Sequence, residues 1–517
     1  MSSAALDQIP APHDAAALTL VDQLVQWGRR RIDERVFRPG MRMPSIRKLA
    51  LDKGVSRFTV VEAYERLVAQ GYLDSRRGSG FYVRERPAGF APVERRGTEA
   101  GARPGVAGGT PAANAADPAP VPPTIDVVWL LRNMLHTSTR PEKGPGLGYL
   151  PARWLDGELL SGALRSLSRA GGTQLIGFGS PQGFLPLRQQ LQTRLAELEI
   201  GASPEQIVMV SGITQAIDLL ARLYVQPGDT VIVGDPAWFQ MFGRFASQGA
   251  RLVGVPYTPD GPDLDALETL VRTWQPKMLV INSVLQNPTG TSLSAAQAFR
   301  ILRLAEQYGF IVVEDDVYGD LCPAGYPATR LASLDQLRRV IYLGSFTKTL
   351  APNLRVGFIA AARDVVQAVS DQKMLVGMTS PELNERVVYR VLTEGHYRRH
   401  VERLRGRLDG VRDKTARMLE RAGLKLFQTP GAGMFLWADA GVDADALTAA
   451  GHEAGFLLAP GSLFSPHQSP TTWLRFNVAN CGDPALATFL AQYLDGVARR
   501  VPVGAAATAA AIAPADS

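Results

Sequence analysis

Short apolar runs alternate with helical patterns through the middle of the chain, and this alternation limits the possible folds more than any other feature of the sequence. There are seven such runs, at 207–210, 230–233, 252–255, 278–282, 310–313, 340–343 and 357–360. Runs without regular polar interruption are typical of strands that are buried on both faces of a sheet. The alternation therefore predicts an α/β domain with a mostly parallel, seven-stranded sheet and helices on both of its faces.

Polar side chains follow these runs, at the end of the sheet where open α/β folds bind their ligands. The first run leads through Gly212, Ile213 and Thr214 straight into a helix. A glycine turn at a helix N-terminus can bind a phosphate through its backbone N–H groups and the Thr214 hydroxyl. Such a turn can equally be a plain helix cap, so it indicates a phosphate site only together with other residues.

The later runs add polar side chains whose combined chemistry matches one ligand, pyridoxal 5'-phosphate. These side chains are Asn287, Asp315, Tyr318, Ser345, Lys348 and Arg355. The Lys348 amine can form an imine with the cofactor aldehyde, and Asp315 can keep the pyridine nitrogen protonated. Each residue alone has a commoner explanation as a cap, a turn or a surface residue. Together they predict this cofactor, with Lys348 and Asp315 as the catalytic pair.

The other positions of the set suit the remaining polar atoms of the cofactor. Asn287 and Tyr318 can hydrogen-bond to the phenolate oxygen, whereas Thr214, Ser345 and Arg355 can bind the phosphate. This assignment accounts for the chemistry without a metal ion, and we expect no metal site.

The motifs SGITQAID, DPAW, QNPTG, EDDVYGD, SFTKTLAPNLRVG and WLRFNVA resemble those of the fold-type-I, aspartate-aminotransferase-like family. The resemblance implies that Trp238 stacks on the cofactor ring and that Arg475 binds a substrate α-carboxylate, a bidentate task suited to a guanidinium. It also implies a smaller C-terminal α+β subdomain. One departure is Phe178, at a position where these aminotransferases place a tyrosine that reaches the phosphate of the neighbouring subunit. That hydrogen bond would be missing here.

The amino-terminal part of the chain carries the excess positive charge. Residues 20–86 contain 15 Lys or Arg against 8 Asp or Glu, in a chain whose net charge is +6. Their pattern predicts a helix over 20–37, a short helix capped by Ser45, a third helix capped by Ser56, and a hairpin. This is the spacing of a helix-turn-helix followed by a wing. A basic module of this kind indicates double-stranded DNA as the partner, although a merely solvated basic face is the plainer alternative.

The segment PSIRKLA…GVSRFTVVEAYERLVAQGYLDSRRGSGFYV resembles the GntR-type winged helix-turn-helix. The free N–H groups and the dipole of the third helix suit phosphate or base contacts at its start. This position and the resemblance together imply DNA contacts from Arg47, Ser56, Arg57, Thr59, Arg77 and Gly78. Some members of this family carry an arginine where Val61 stands here, so one base contact would be absent.

A stretch rich in small residues and proline separates the two parts. In 87–123, 24 of the 37 residues are Gly, Ala or Pro, which predicts a flexible linker. The domains are therefore expected at 18–86 and 124–500, followed by a disordered tail at 501–517. The chain has only two cysteines and no visible secretion signal, which favours the cytoplasm. It has no apolar run long enough to span a membrane, so we expect no membrane partner.

The combination of the two resemblances is similar to the MocR-type (also GabR-like) branch of the GntR regulators. It implies a homodimeric transcription factor that uses pyridoxal phosphate to sense an amine, an amino acid or the vitamer itself through imine exchange at Lys348. An active aminotransferase with a DNA-binding appendage remains the alternative. The identity of the effector, the operator sequence and the direction of regulation are not specified by these residues.

Overall fold

The structure is a computed structural model that describes five segments of the chain: 19–76, 79–84, 126–137, 140–169 and 176–500. The chain divides into two compact units, 1–117 and 118–517. The predicted linker at 87–123 and the predicted tail at 501–517 lie outside the described residues, so these domain boundaries stay predictions.

The N-terminal unit consists of three helices and a two-stranded antiparallel hairpin: α1 (Leu20–Asp33), α2 (Ile46–Lys53), α3 (Arg57–Ala69), β1 (Leu73–Arg76) and β2 (Gly80–Val83). Ser45 and Ser56 cap α2 and α3, as the sequence predicts, by accepting hydrogen bonds from backbone N–H groups of the first turn. The first helix ends at Asp33, earlier than the predicted end at 37, because the chain then turns through Glu34.

The large unit is built on a sheet of eight strands: β3 (Ile207–Val210), β4 (Thr230–Asp235), β5 (Arg251–Thr258), β6 (Gly261–Pro262), β7 (Met278–Ile281), β8 (Ile311–Asp315), β9 (Val340–Ser345) and β10 (Gly357–Ala360). Their spatial order is β3-β10-β9-β8-β7-β4-β5-β6. Strands β5, β4, β7, β8 and β9 pair in parallel, whereas β10 is antiparallel to both of its neighbours. The mostly parallel fold is confirmed. The predicted count of seven strands is corrected to eight, because the two-residue edge strand β6 pairs with the end of β5.

Both faces of this sheet are covered by apolar packing. Met278 and Val280 of β7 belong to one buried core, while Leu279 and Ile281 belong to the other. Alternate residues of a strand point to opposite faces, so the two cores lie on the two sides of the sheet. The helices of this part are α4 (Val127–Thr137), α5 (Gly157–Arg169), α6 (Leu185–Ala196), α7 (Ile213–Tyr224), α8 (Phe239–Ala246), α9 (Leu264–Trp274), α10 (Ala295–Tyr308), α11 (Leu331–Asp335), α12 (Arg363–Gly377) and α13 (Glu382–Thr393).

A smaller antiparallel sheet follows the long helix α14 (His396–Arg421). Its strands lie in the order β11-β12-β14-β13, namely β11 (Lys425–Leu426), β12 (Phe435–Asp439), β14 (Trp473–Asn477) and β13 (Ala459–Pro460). Helices α15 (Ala444–Glu453) and α16 (Pro484–Arg500) complete this part, which is the expected C-terminal α+β subdomain.

Among the described helices, none has the length and apolar character needed to cross a membrane.

Candidate functional site

The C-terminal ends of the parallel strands border a cavity that collects most of the predicted cofactor residues. Its lining includes Ile213, Thr214, Trp238, Asn287, Asp315, Tyr318, Ser345, Lys348 and Arg355. Gly212 directly precedes this lining at the start of α7. Residues that are far apart in sequence meet here because they lie close to one edge of the sheet, where the parallel strands end and the antiparallel strand β10 begins.

One end of the cavity carries donors suited to a phosphate. Gly212 has a φ of 82°, and a Cβ built on it would lie 2.5 Å from Nη2 of Arg355, so only glycine fits without displacing the arginine. Arg355 donates to the carbonyl of Ser211 at 3.0 Å. The hydroxyls of Ser345 and Thr347 lie 2.8 Å apart. This end of the cavity therefore combines a guanidinium, two hydroxyls and the N-terminus of α7.

Asp315 lies at the end of β8 and is buried. Its Oδ1 accepts a hydrogen bond from the Val317 N–H at 3.2 Å, and its backbone carbonyl accepts one from Asn282 at 2.7 Å. Burial raises the pKa of the Asp315 carboxyl to about 7, although Lys348 opposes this rise in part. A carboxylate in this position favours a cationic partner in the cavity.

Lys348 follows β9 and extends into the cavity. Its Nζ donates to the carbonyl of Gly148 at 2.6 Å and lies 5.7 Å from the ring centre of Tyr318. Burial, together with the nearby positive charges of Arg475 and Arg355, lowers the pKa of the Lys348 amine to about 8. A larger fraction of this amine is neutral near pH 7 than for a lysine in water, which makes it a better nucleophile.

Arg475 lies on β14, and its side chain is almost fully buried. Its Nη1 donates to Asn287 at 2.9 Å, and its Nη2 donates to the carbonyl of Gly146 at 2.7 Å. The guanidinium also lies within 5 Å of the ring centres of Phe435 and Phe464. Its Nε is buried and has no hydrogen-bond partner among the described residues. Burial lowers the pKa of Arg475 to about 10, so the group is still a cation at neutral pH.

Of the other residues singled out from the sequence, Asn287, Tyr318 and Trp238 line the cavity and Phe178 does not. Asn287 donates to the Tyr318 hydroxyl at 3.2 Å, and burial raises the pKa of Tyr318, which keeps its hydroxyl protonated. Trp238 is half-buried at the start of α8 and lines the cavity. Phe178, by contrast, is 85% exposed and is not part of the lining.

Sequence reasoning missed several residues of this cavity, among them Gln240, Asn282 and Thr347, which also line it. A signal existed for Asn282, since a polar residue at the end of a buried run marks a strand end. Thr347 stands between Ser345 and Lys348 in a segment already singled out. No signal could reveal Gly148, because its backbone carbonyl makes the contact.

In the N-terminal unit, the predicted DNA contacts lie around the start of α3. Arg57 is the first residue of this helix and is exposed, as is Arg47 on α2. The Ser56 hydroxyl accepts from the Thr59 N–H at 3.0 Å, and the hydroxyls of Ser56 and Thr59 lie 2.8 Å apart. These two residues therefore have a capping role in the fold.

The predicted wing contacts Arg77 and Gly78 lie outside the described residues. The strands beside them are described, and there the guanidinium of Arg76 stacks over the ring of Tyr82 at 4.4 Å. Within the described segments, no group of three or more His, Cys, Asp or Glu could hold a metal ion.

Family models match both units of the chain. The family described as aminotransferase class I and II matches residues 159–492, and the one described as bacterial regulatory proteins, gntR family, matches residues 20–83.

Individual proteins of both kinds are similar to this chain. The HTH-type transcriptional regulator YdfD of Bacillus subtilis (strain 168) is 28% identical over 420 residues, which cover 80% of this chain and 83% of that protein. The 2-aminoadipate transaminase of Thermus thermophilus is 31% identical over 371 residues, covering 69% of this chain and 90% of that protein.

A solved structure repeats the fold of the large unit. LysN, the alpha-aminoadipate aminotransferase of Thermus thermophilus, complexed with N-(5'-phosphopyridoxyl)-L-leucine, aligns with a TM-score of 0.66 and 27% identity. The alignment covers 72% of this chain and 96% of that one. The chain therefore belongs to the class I and II aminotransferase family, and it carries a helix-turn-helix of the bacterial GntR regulators at its amino terminus.

Proposed function

We propose that this chain is a transcriptional regulator that binds pyridoxal 5'-phosphate in its aminotransferase domain, binds double-stranded DNA through its GntR-type domain, and responds to an amine or an amino acid. One observation carries the proposal. A single cavity assembles a lysine amine, a buried carboxylate and a phosphate-type donor set, in a chain whose N-terminal segment is a basic helix-turn-helix.

The residues of the cavity fit this cofactor. Gly212 leaves open the space beside Arg355 that a Cβ would fill, so a phosphate can approach both the guanidinium and the N-terminus of α7. Asp315, at the end of β8, is suited to a protonated pyridine nitrogen. Asn287 and Tyr318 offer hydrogen-bond donors for a phenolate oxygen, and the half-buried ring of Trp238 can cover one face of a planar ligand.

When bound, the cofactor supplies an aldehyde that condenses with an amine with loss of water, and a ring that accepts electron density. The protein residues prepare for this chemistry. Lys348 offers an amine whose lowered pKa leaves more of it unprotonated. Asp315 offers a carboxyl at the strand end that ionises beside a cationic ring nitrogen, and the positive charges of Arg475 and Arg355 oppose protonation of Lys348. Asp315 and Arg475 are buried, which strengthens the influence of their charges on Lys348.

Arg475 indicates the chemical class of the effector. The guanidinium is held by Asn287 and the carbonyl of Gly146, while its Nε has no partner in the described part of the chain. A carboxylate is a group that a guanidinium binds strongly, through paired N–H donors, and the phosphate of the cofactor is already accounted for by Arg355 and the start of α7. We therefore assign an α-amino acid as the preferred effector, with its amine directed to Lys348. Amines without a carboxylate, and the vitamer itself, are the weaker candidates.

We further propose a homodimer that acts in the cytoplasm, where bacterial DNA is found. Apolar side chains are exposed at the end of α12 and after it, where Leu375 is 84% exposed and Val376 and Met378 are also exposed. Ile176 and Phe178 form a second such pair, each 85% exposed. Neighbouring exposed apolar residues favour a protein interface over open solvent. Sedimentation of the purified protein tests the dimer, and a monomer at micromolar concentration would contradict it.

The test of the main proposal compares Lys348→Ala with Lys414→Ala, a lysine exposed on α14. Wild type and Lys414→Ala are expected to show a visible absorbance band with pyridoxal phosphate and covalent labelling after borohydride reduction. Lys348→Ala should show neither, and its binding to DNA upstream of its own gene should not respond to amino acids. A colourless wild-type protein, or a normal amino-acid response in Lys348→Ala, would contradict the proposal.

An active aminotransferase is the second candidate, favoured by the 31% identity to a transaminase and by the intact Lys348, Asp315 and Arg475. Steady-state transamination across a panel of amino acids separates the two functions. Fast turnover without specific DNA binding would favour the enzyme. Titration of the cofactor without any amine identifies a sensor of pyridoxal phosphate itself, since only such a sensor would then change its DNA binding.

A further inference from the structure

Phe58 is a large apolar side chain in the first turn of α3 that the fold does not use. It is 75% exposed, and it belongs neither to the core of the N-terminal unit nor to the partly buried residues packed against that core. The same helix fills the core with Val60, Ala63 and Leu67, each at most 1% exposed. Single exposed apolar residues are common on protein surfaces, so the surroundings of Phe58 matter more than its exposure.

These surroundings are cationic. Arg57 precedes Phe58, and Arg47 is exposed on the preceding helix of the helix-turn-helix. Neither arginine has a carboxylate partner among the described residues. Val61 follows Phe58 by three residues and so lies on the same side of the helix. The start of α3 therefore presents the positive charge of Arg57 beside an exposed apolar side chain. This combination suits a polyanion with apolar groups along its edge better than it suits an apolar protein surface.

The acidic residues of α3 do not cancel this charge. Glu62, one turn after Phe58, accepts a hydrogen bond from Arg66 at 2.6 Å, and Arg66 also binds Asp22 of α1 at 2.8 Å. Glu65 lies two turns away from Phe58. The start of the helix is therefore its positive end, through both its side chains and its backbone dipole.

We propose that Phe58 contacts the 5-methyl group of a thymine in the major groove and selects thymine at that position, an inference that rests on the proposed DNA-binding function. Thymine is the base that presents a methyl group in this groove. A phenyl ring cannot hydrogen-bond to the polar edge of a base, so apolar contact is its means of telling bases apart. Loss of one methyl-sized contact should weaken binding about fourfold.

The experiment uses the full-length protein with its cofactor and a duplex selected by that protein from a random-sequence pool. Each thymine of the selected site is replaced in turn by deoxyuridine, which keeps the base pairing and lacks only the methyl group. We expect wild type to lose about fourfold in affinity at one such position. Phe58→Ala should bind the two duplexes equally at that position, and Phe58→Met, which stays apolar, should keep part of the difference.

Leu20→Ala is the matched control, because Leu20 is also an exposed apolar residue of this unit, at 55%. It starts α1, close to Asp22, which contacts the far end of α3 through Arg66. This variant should discriminate deoxyuridine as wild type does.

Three results would overturn the inference. Equal affinity of wild type for every deoxyuridine duplex, with a site still selected, would refute it and leave the proposed function intact. Failure to select any site would refute the proposed function as well. Uniformly weaker binding by Phe58→Ala, with the deoxyuridine effect retained, would show that another residue discriminates the methyl group and that Phe58 supports DNA binding without selecting thymine.

Discussion

Replacement of Gly212 by alanine should disable the phosphate end of the cavity while leaving the fold intact. Gly212 has φ 82° and ψ 171°, a conformation that is essentially restricted to glycine and costs other residues about 1–3 kcal/mol. In addition, the new Cβ would lie 2.5 Å from Nη2 and 3.0 Å from Cζ of Arg355. The guanidinium must move to relieve this contact, and it then leaves the position from which it can bind a phosphate.

The expected loss follows from the displaced arginine. A hydrogen bond to a charged group contributes about 1.5–3 kcal/mol, which corresponds to about 10- to 100-fold weaker binding of pyridoxal phosphate. Gly228→Ala is the control for backbone strain. Gly228 has φ 93°, but a Cβ there would meet no heavy atom of the described segments within 4 Å. Gly228→Ala should therefore lose stability without losing cofactor affinity.

Two measurements separate these effects. Absorbance titration of the cofactor-free protein gives the affinity for pyridoxal phosphate, and thermal unfolding without cofactor gives the stability. Arg355→Ala and the double variant Gly212→Ala/Arg355→Ala complete a cycle. If Gly212→Ala acts by displacing Arg355, the double variant should bind no more weakly than Arg355→Ala. Wild-type affinity in Gly212→Ala, or losses that add in full, would refute this reasoning.

Four further outcomes follow from the same structure. The pKa of Lys348 is about 8, and its neutral amine is the form that reacts with pyridoxal phosphate. The rate of adduct formation should therefore rise about tenfold per pH unit below pH 8 and level off above it, as measured by stopped-flow absorbance. A rate that continues to rise past pH 9 would contradict this. Arg475→Met should weaken the DNA-binding response to amino acids about 100-fold and spare the response to amines without a carboxylate, because only the former use the guanidinium. Asp315→Asn should slow amine exchange about 100-fold, measured as the change in the absorbance band, because it removes the charge opposite the ring nitrogen. Arg57→Ala should weaken DNA binding and lower the slope of log affinity against log salt by about 0.9 if the residue contacts one phosphate.

The sheet could be predicted because buried strands leave a local pattern. Each of the seven apolar runs overlaps a strand, and the run at 357–360 coincides with β10 in full. The edge strand β6 left no such pattern, since it consists of Gly261 and Pro262 and exists only through its pairing with Tyr257 and Thr258. A short apolar run indicates that a segment is buried. The pairing of β6 with β5 depends instead on the turn between them, which an apolar run does not indicate.

The site was predictable to the extent that its residues lie at the end of a strand or shortly after it. Asp315 and Lys348 are of this kind, because the sheet edge brings such positions together whatever the loops do. The contact between Arg475 and Asn287 was not, although both residues were singled out, because it joins strand β14 of the smaller sheet to a turn after β7 that lies 188 residues away in the sequence. The acceptor role of Gly148 could not be predicted for another reason. Every residue has a backbone carbonyl, so the residue type at this position does not indicate the contact.

Burial acts in opposite directions on the two central ionisable groups of the cavity. It lowers the pKa of Lys348 to about 8 and raises that of Asp315 to about 7, so both groups move toward their neutral forms. An amine in this state is ready to attack an aldehyde, and a carboxyl in this state ionises fully once a cation is placed beside it. A ligand that brings an aldehyde to Lys348 and a basic ring nitrogen to Asp315 therefore meets both groups close to the protonation states that its chemistry needs. Neither state can be read from residue types alone, because each is set by how completely the folded chain encloses the group.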